Sequence, residues 1–108
     1  MARLSTHVLD TANGRPAAGV RIQLFTCGRL VKEAVTNSDG RTSEPLLSGD
    51  RIEPGVYELV FSVGDYYGTS AGAFLGDVVV RFGVADEFGA YHVPLLVSPY
   101  GYTTYRGS

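Results

Sequence analysis

Cysteine is almost missing from this chain of 108 residues, where Cys27 stands alone. A lone cysteine cannot close an internal disulfide or build a cysteine-based zinc site, so the fold must rest on apolar packing. The length suits one domain over 1–108, burying roughly 65% of the unfolded surface, which lets a single core hold without staples. Lysine is equally scarce: Lys32 is the only one, and the formal charge is −2 with acids and bases intermixed. Nucleic-acid binding needs a clustered basic footprint, which this pattern lacks. No apolar run approaches the length of a membrane span. The opening Met1-Ala2-Arg3-Leu4-Ser5-Thr6-His7 has no apolar signal core. The closing Tyr105-Arg106-Gly107-Ser108 is not a peroxisomal address. The expectation is a cytoplasmic protein that engages neither membrane nor nucleic acid.

What is present is alternation. Val20, Ile22 and Leu24 alternate with Arg21, Gln23 and Phe25. Tyr57, Leu59, Phe61 and Val63 alternate with Glu58, Val60 and Ser62, and Val78, Val80, Phe82 and Val84 with Asp77, Val79, Arg81 and Gly83. A period of two sends one set to a core and the other outward. Further strands are expected at about 4–10, 30–37, 91–98 and 101–106. Asn13-Gly14, Cys27-Gly28, Asp39-Gly40, Pro54-Gly55 and Tyr100-Gly101 supply the breaks between runs. Short strands at this spacing predict an all-β sandwich or barrel. A short helix is expected only within 64–74, where Asp65-Tyr66-Tyr67 and the small Ser70, Ala71 and Ala73 lie among glycines 68 and 72. Phe25, Val60 and Val79 face outward, and 91–105 is nearly uncharged, so subunit association is expected to cover apolar surface. Packing beneath loops is the alternative.

Few residues offer chemistry. His7 and His92 are the only histidines. Histidine moves protons near neutral pH, but a strand histidine is also common as a surface or satisfied core residue. Neither has a His-x-His partner or a nearby acid to suggest zinc. Arg41 follows Asp39-Gly40; it is either an ordinary solvated turn arginine or a planar fork for a carbonyl or oxyanion. Ser108 closes the chain with a hydroxyl and a carboxylate, behind a tail whose composition predicts docking, for function or for packing alone. Cys27 has no local base and reads as a buried or half-buried thiol. The acids Asp39, Asp50, Glu53, Asp65 and Asp86 are scattered at turns, without the pairing that glycosidase-like chemistry needs.

Several segments together resemble one family. Leu4-Ser5-Thr6-His7-Val8-Leu9-Asp10 followed by Gly14-Arg15-Pro16-Ala17, then Thr36-Asn37-Ser38-Asp39-Gly40-Arg41, then Tyr91-His92-Val93-Pro94-Leu95-Leu96 through Tyr105-Arg106-Gly107-Ser108, are similar to the 5-hydroxyisourate hydrolases of the transthyretin-like family. The final tetrapeptide separates the hydrolases from the hormone carriers of that family. Departures occur at Ala90, where members often carry histidine, and at Leu75-Gly76, where they often carry Tyr-Pro.

The resemblance implies a two-sheet sandwich of about eight strands with one short helix, assembled as a homotetramer, a dimer of dimers with active sites in a shared channel. It implies hydrolysis of 5-hydroxyisourate to 2-oxo-4-hydroxy-4-carboxy-5-ureidoimidazoline in urate breakdown, with no metal ion and no organic cofactor. It implies that His7 and His92 activate water and shuttle protons, that Arg41 binds substrate and stabilises the oxyanion, and that Ser108 orients substrate or water. Tyr105 and Arg106 would anchor the tail and line the substrate site. A channel-binding carrier and a β-sandwich interaction module are the alternatives. Neither would require these residues to converge.

Overall fold

Alternating apolar residues need a facing surface, and here two sheets provide it for each other. The computed structural model describes residues 1–68 and 73–108. Among them are nine strands: β1 (Ala2–Asp10), β2 (Arg15–Pro16), β3 (Arg21–Thr26), β4 (Arg29–Val35), β5 (Leu47–Gly49), β6 (Gly55–Ser62), β7 (Asp77–Val84), β8 (Ala90–Val97) and β9 (Tyr102–Thr104). One sheet runs β2-β1-β8-β9, with β5 also paired to β1; the other runs β4-β3-β6-β7. The all-β sandwich expected from sequence is therefore the observed architecture. The additional strands, β2 and β5, are two and three residues long and are defined by pairing to β1 rather than by any apolar pattern.

The core lies between the sheets. Leu4, Ile22, Leu24, Leu59, Phe61 and Leu95 are completely buried there, each worth about 1.5–3 kcal/mol against exposure. Val78, Val80 and Val84 follow the expected alternation, while Phe82 is half-buried and stacks on Tyr57 at 6.0 Å. The outer face of the second sheet carries the ion pairs Arg21–Glu33 at 2.6 Å and Arg81–Glu58 at 2.9 Å. Such exposed pairs contribute less than about 1 kcal/mol each.

The helix α1 (Val63–Tyr67) is shorter than the expected stretch. Gly68 ends it in the left-handed conformation, φ 69°. Ala73 lies beyond it, and positions 69–72, including Ser70 and Ala71, lie outside the described residues. The helix is tied to the first sheet by a buried carboxylate. Asp10 accepts hydrogen bonds from the Tyr66 and Tyr67 hydroxyls, both at 2.7 Å, and from Asn13 Nδ2 at 2.7 Å. The backbone N–H groups of Ala12 and Asn13 complete its shell at 3.0 and 3.1 Å. Burial alone would push the Asp10 pKa up; the bonds from Asn13, Tyr66 and Tyr67 outweigh it and hold it at about 2.

Cys27 corrects an expectation. It is exposed, at φ 52°, in the tight turn that joins β3 to β4. Hairpin tips project into solvent, and Cys27-Gly28 supplies the two positive-φ residues that a two-residue turn of this kind requires. Turn geometry overrides the thiol's preference for burial.

Candidate active site

The site begins with a parallel seam. β1 and β8 pair in parallel, setting Ser5 opposite His92, His7 opposite Pro94 and Leu9 opposite Leu96. Leu4, Thr6 and Val8 of β1 are buried, as are Tyr91 and Val93 of β8. The period of two then turns Arg3, Ser5 and His7, together with His92, to the outer face of this sheet. Ser5 Oγ lies 2.9 Å from His92 Nδ1.

The turn after β4 delivers Arg41. The Asn37 side-chain oxygen accepts the Asp39 and Arg41 backbone N–H groups at 2.9 and 3.2 Å, closing a local Asx-type turn. The turn docks on β1, where Val8 N–H donates to the Gly40 carbonyl at 2.8 Å. Gly40 has φ 74°, and a Cβ there would drive into the Val8 carbonyl oxygen, so only glycine fits. His7 Nε2 is 2.7 Å from the Asp39 carbonyl oxygen. A carbonyl only accepts, so His7 Nε2 carries a proton and the lone pair of neutral His7 resides on Nδ1.

The tail closes the other side. β9 pairs with β8, and beyond it Gly107 N–H donates to the His92 carbonyl at 2.7 Å. A Cβ on Gly107 would stand 2.6 Å from His92 Cδ2, so the tail crosses the imidazole without a side chain between them. The expected docked tail is observed. Its Arg106 guanidinium stacks over the Tyr91 ring at 4.3 Å.

These three pieces enclose a cavity of about 340 Å³, lined by Arg3, Ser5, Arg41, Ala90, Tyr91, His92 and Ser108. Burial lowers the His92 pKa first, and the charges of Arg41, His7 and Arg3 lower it further. His92 is thereby held neutral at pH 7, the state a proton carrier needs. Of the residues expected from sequence, Arg41, His92 and Ser108 line one cavity. His7 adjoins it, close enough to weigh on His92, but is fastened to the Asp39 carbonyl and does not line it. Tyr105 and Arg106 line a different cavity of about 320 Å³, bordered by Val80, Phe82 and Tyr91. Sequence reasoning missed Arg3 and Ser5. Their signal was the two-residue spacing from His7, which puts all three on one face.

A family model described as the HIUase/Transthyretin family matches residues 4–107. The chain belongs to that family. A 5-hydroxyisourate hydrolase of Pseudomonas aeruginosa is 50% identical over 117 aligned residues, covering 100% of this chain and 93% of that protein. The structure of Klebsiella pneumoniae 5-hydroxyisourate hydrolase superposes with a TM-score of 0.87 at 31% identity, covering 100% of both chains. A crystal structure of (S)-allantoin synthase gives a TM-score of 0.91 at 43% identity, covering 99% of this chain and 44% of that one. Transthyretin-like architecture and family membership thus agree with the expectations from sequence. Among the described residues no helix is long and apolar enough to cross a membrane.

Proposed function

We propose that the chain is a cytoplasmic 5-hydroxyisourate hydrolase, acting through one domain over 1–108. The observation that carries the reading is the meeting of Arg41, His92 and Ser108 in one cavity beside His7, although they come from a turn, a strand and the tail. Hydrolase relatives half identical over the whole chain support the substrate.

The chemistry follows from the groups present. Water oxygen bonds to the carbonyl carbon of the cyclic amide, and negative charge gathers on the carbonyl oxygen. Arg41, always protonated, offers its N–H fork to that oxyanion. One neutral histidine takes the water proton, and a histidine returns a proton to the departing nitrogen as the C–N bond breaks. The ring opens to a carboxylate and a ureido group. Ser108 orients substrate or water. Tyr105 and Arg106 act on the tail's placement, with Arg106 held over Tyr91. No step is assigned to a metal or a cofactor. The active unit in this reading is a homotetramer, a dimer of dimers, whose contacts cover apolar residues such as Val79, Tyr100 and Tyr102, exposed on the single chain.

The test is turnover of freshly generated 5-hydroxyisourate by the wild type and by His7→Asn, His92→Asn and Arg41→Gln. Loss of acid–base help costs about 10²–10⁴ in rate, and loss of an oxyanion donor about 10²–10³. Each variant is expected to lose at least about 10² in turnover with an unchanged melting temperature. An inert wild type, or variants that lose stability and activity in step, would refute the proposal.

A further inference from the structure

Ser5 takes no part in the bond-making and bond-breaking steps, yet among the described residues it makes the one side-chain hydrogen bond that His92 has. We infer that Ser5 is a positioning residue whose hydroxyl donates to His92 Nδ1, fixing the ring and leaving its proton on Nε2, toward the cavity. The inference rests on the hydrolase reading for its catalytic meaning, but its geometry stands independently.

The first support is the 2.9 Å separation between Ser5 Oγ and His92 Nδ1, across parallel strands whose register sets the two residues opposite each other. Strand pairing fixes both Cα atoms, so the contact does not depend on a loop. The direction of the bond follows from general chemistry. Imidazole nitrogen is a better acceptor than a hydroxyl oxygen, and a hydroxyl is a good donor. The pair therefore prefers O–H···N, and a nitrogen that accepts on one side leaves the ring proton on the other.

The second support is the opposite flank. Gly107 passes so close that a Cβ would stand 2.6 Å from Cδ2 of the same ring. Its N–H also holds the His92 carbonyl at 2.7 Å. The imidazole thus has the Ser5 hydroxyl at Nδ1 and the tail backbone on its Cδ2 side, and a flip of the ring would give up the Ser5 hydrogen bond. The third support concerns Nε2. It has no hydrogen-bond partner among the described residues, and no side-chain polar atom there is both buried and unpartnered. Nε2 is therefore open to solvent, and His92 lines the cavity with Arg41 and Ser108.

The consequence is a division of labour. Neutral His92 presents an Nε2–H, which donates a hydrogen bond to the substrate and is kept, since losing it would leave an imidazolate. Neutral His7 has its lone pair on Nδ1, because Nε2–H is engaged by the Asp39 carbonyl. The two rings thus enter the reaction in complementary states: His7 is the one able to accept the water proton and, once protonated, to return it to the departing nitrogen, while His92 holds the substrate through its N–H.

The experiment compares wild type, Ser5→Ala and Ser5→Thr. Nitrogen NMR of ¹⁵N-histidine-labelled full chain at neutral pH reads the tautomer of His92 without any substrate, and turnover of 5-hydroxyisourate gives kcat and KM. The expected result is a predominantly Nε2–H His92 in the wild type, a mixed tautomer in Ser5→Ala, and recovery in Ser5→Thr. A misplaced catalytic group costs up to about a hundredfold; kcat of Ser5→Ala should fall at least about tenfold with KM little changed, and Ser5→Thr should restore it. An unchanged His92 tautomer in Ser5→Ala overturns the inference whatever the turnover shows. So does full kcat in Ser5→Ala. An inert wild type with a Ser5-dependent tautomer overturns the hydrolase reading alone and upholds the placement of the ring.

Discussion

Replacing Asp10 by asparagine keeps the outline of the side chain and removes its charge. Asp10 is 1% exposed and gathers five donors, two from backbone, one from the Asn13 side chain and two from tyrosine hydroxyls. Its folded pKa is depressed from the ordinary 3.8 to about 2. A depressed carboxylate adds stability above its unfolded pKa and loses it as pH falls through the folded value. The drop is worth about 2.4 kcal/mol at pH 7. The same linkage leaves about 1.3 kcal/mol at pH 3 and about 0.4 at pH 2. The substituted amide would also turn an N–H₂ toward groups that donate, although the Tyr66 hydroxyl and the Asn13 amide can rotate to accept. Asp10→Asn should therefore lower the unfolding free energy by about 2–3 kcal/mol at pH 7, roughly 10 °C in Tm for a chain of this size. Urea unfolding of both proteins at equal concentration, at pH 7 and pH 3, measures the gap. It should shrink by about 1 kcal/mol on acidification. A variant within about 0.5 kcal/mol of wild type at pH 7, or a gap that does not narrow with acid, would refute the account.

Three further outcomes are expected. Gly40→Ala forces a Cβ into the Val8 carbonyl at positive φ; it should cost about 2 kcal/mol or more in urea unfolding and misplace Arg41, whereas wild-type stability would show that the turn relaxes freely. His92 should titrate below its ordinary 6.5 by NMR, and Arg41→Gln should raise the midpoint because a positive charge that opposes protonation is gone; since the unfolded chain then binds this proton first, His92 should cost stability as pH falls below 6.5, and an unmoved midpoint would remove Arg41 from its surroundings. Light scattering at micromolar concentration should give about four times the monomer mass for a closed dihedral assembly, and a monomer would remove the shared channel.

Much of the fold was legible because the pattern that reveals it is also what stabilises it. Ile22, Leu24, Leu59, Phe61 and Val78 are apolar every second residue, and they are the residues that meet between the sheets. β2 and β5 left no such trace, because a two- or three-residue strand is a statement about backbone partners, not side chains. Cys27 misled because its preference for burial lost to the turn it occupies. At the site, residue types drew attention to His7, Arg41 and His92. The Ser5–His92 contact stayed hidden because it depends on which strands pair and in what register, which a single sequence does not state. Asp10 was similarly silent, although an aspartate that accepts the backbone N–H two residues on, here Ala12, is a common turn former.

The parallel pairing of β1 with β8 has a consequence for how the protein matures. Ser5 and His92 are 87 positions apart along the chain, and closing so long a loop is entropically slow and deferred until other contacts reward it. A refolding chain can zip β3, β4, β6 and β7 into a sheet from neighbouring segments before β8 reaches β1. The cavity cannot exist at that stage, because one of its walls has not been made. Activity in this protein is thus a late event of biogenesis, and its appearance during refolding or translation would report the arrival of β8 beside β1 rather than the formation of most of the secondary structure.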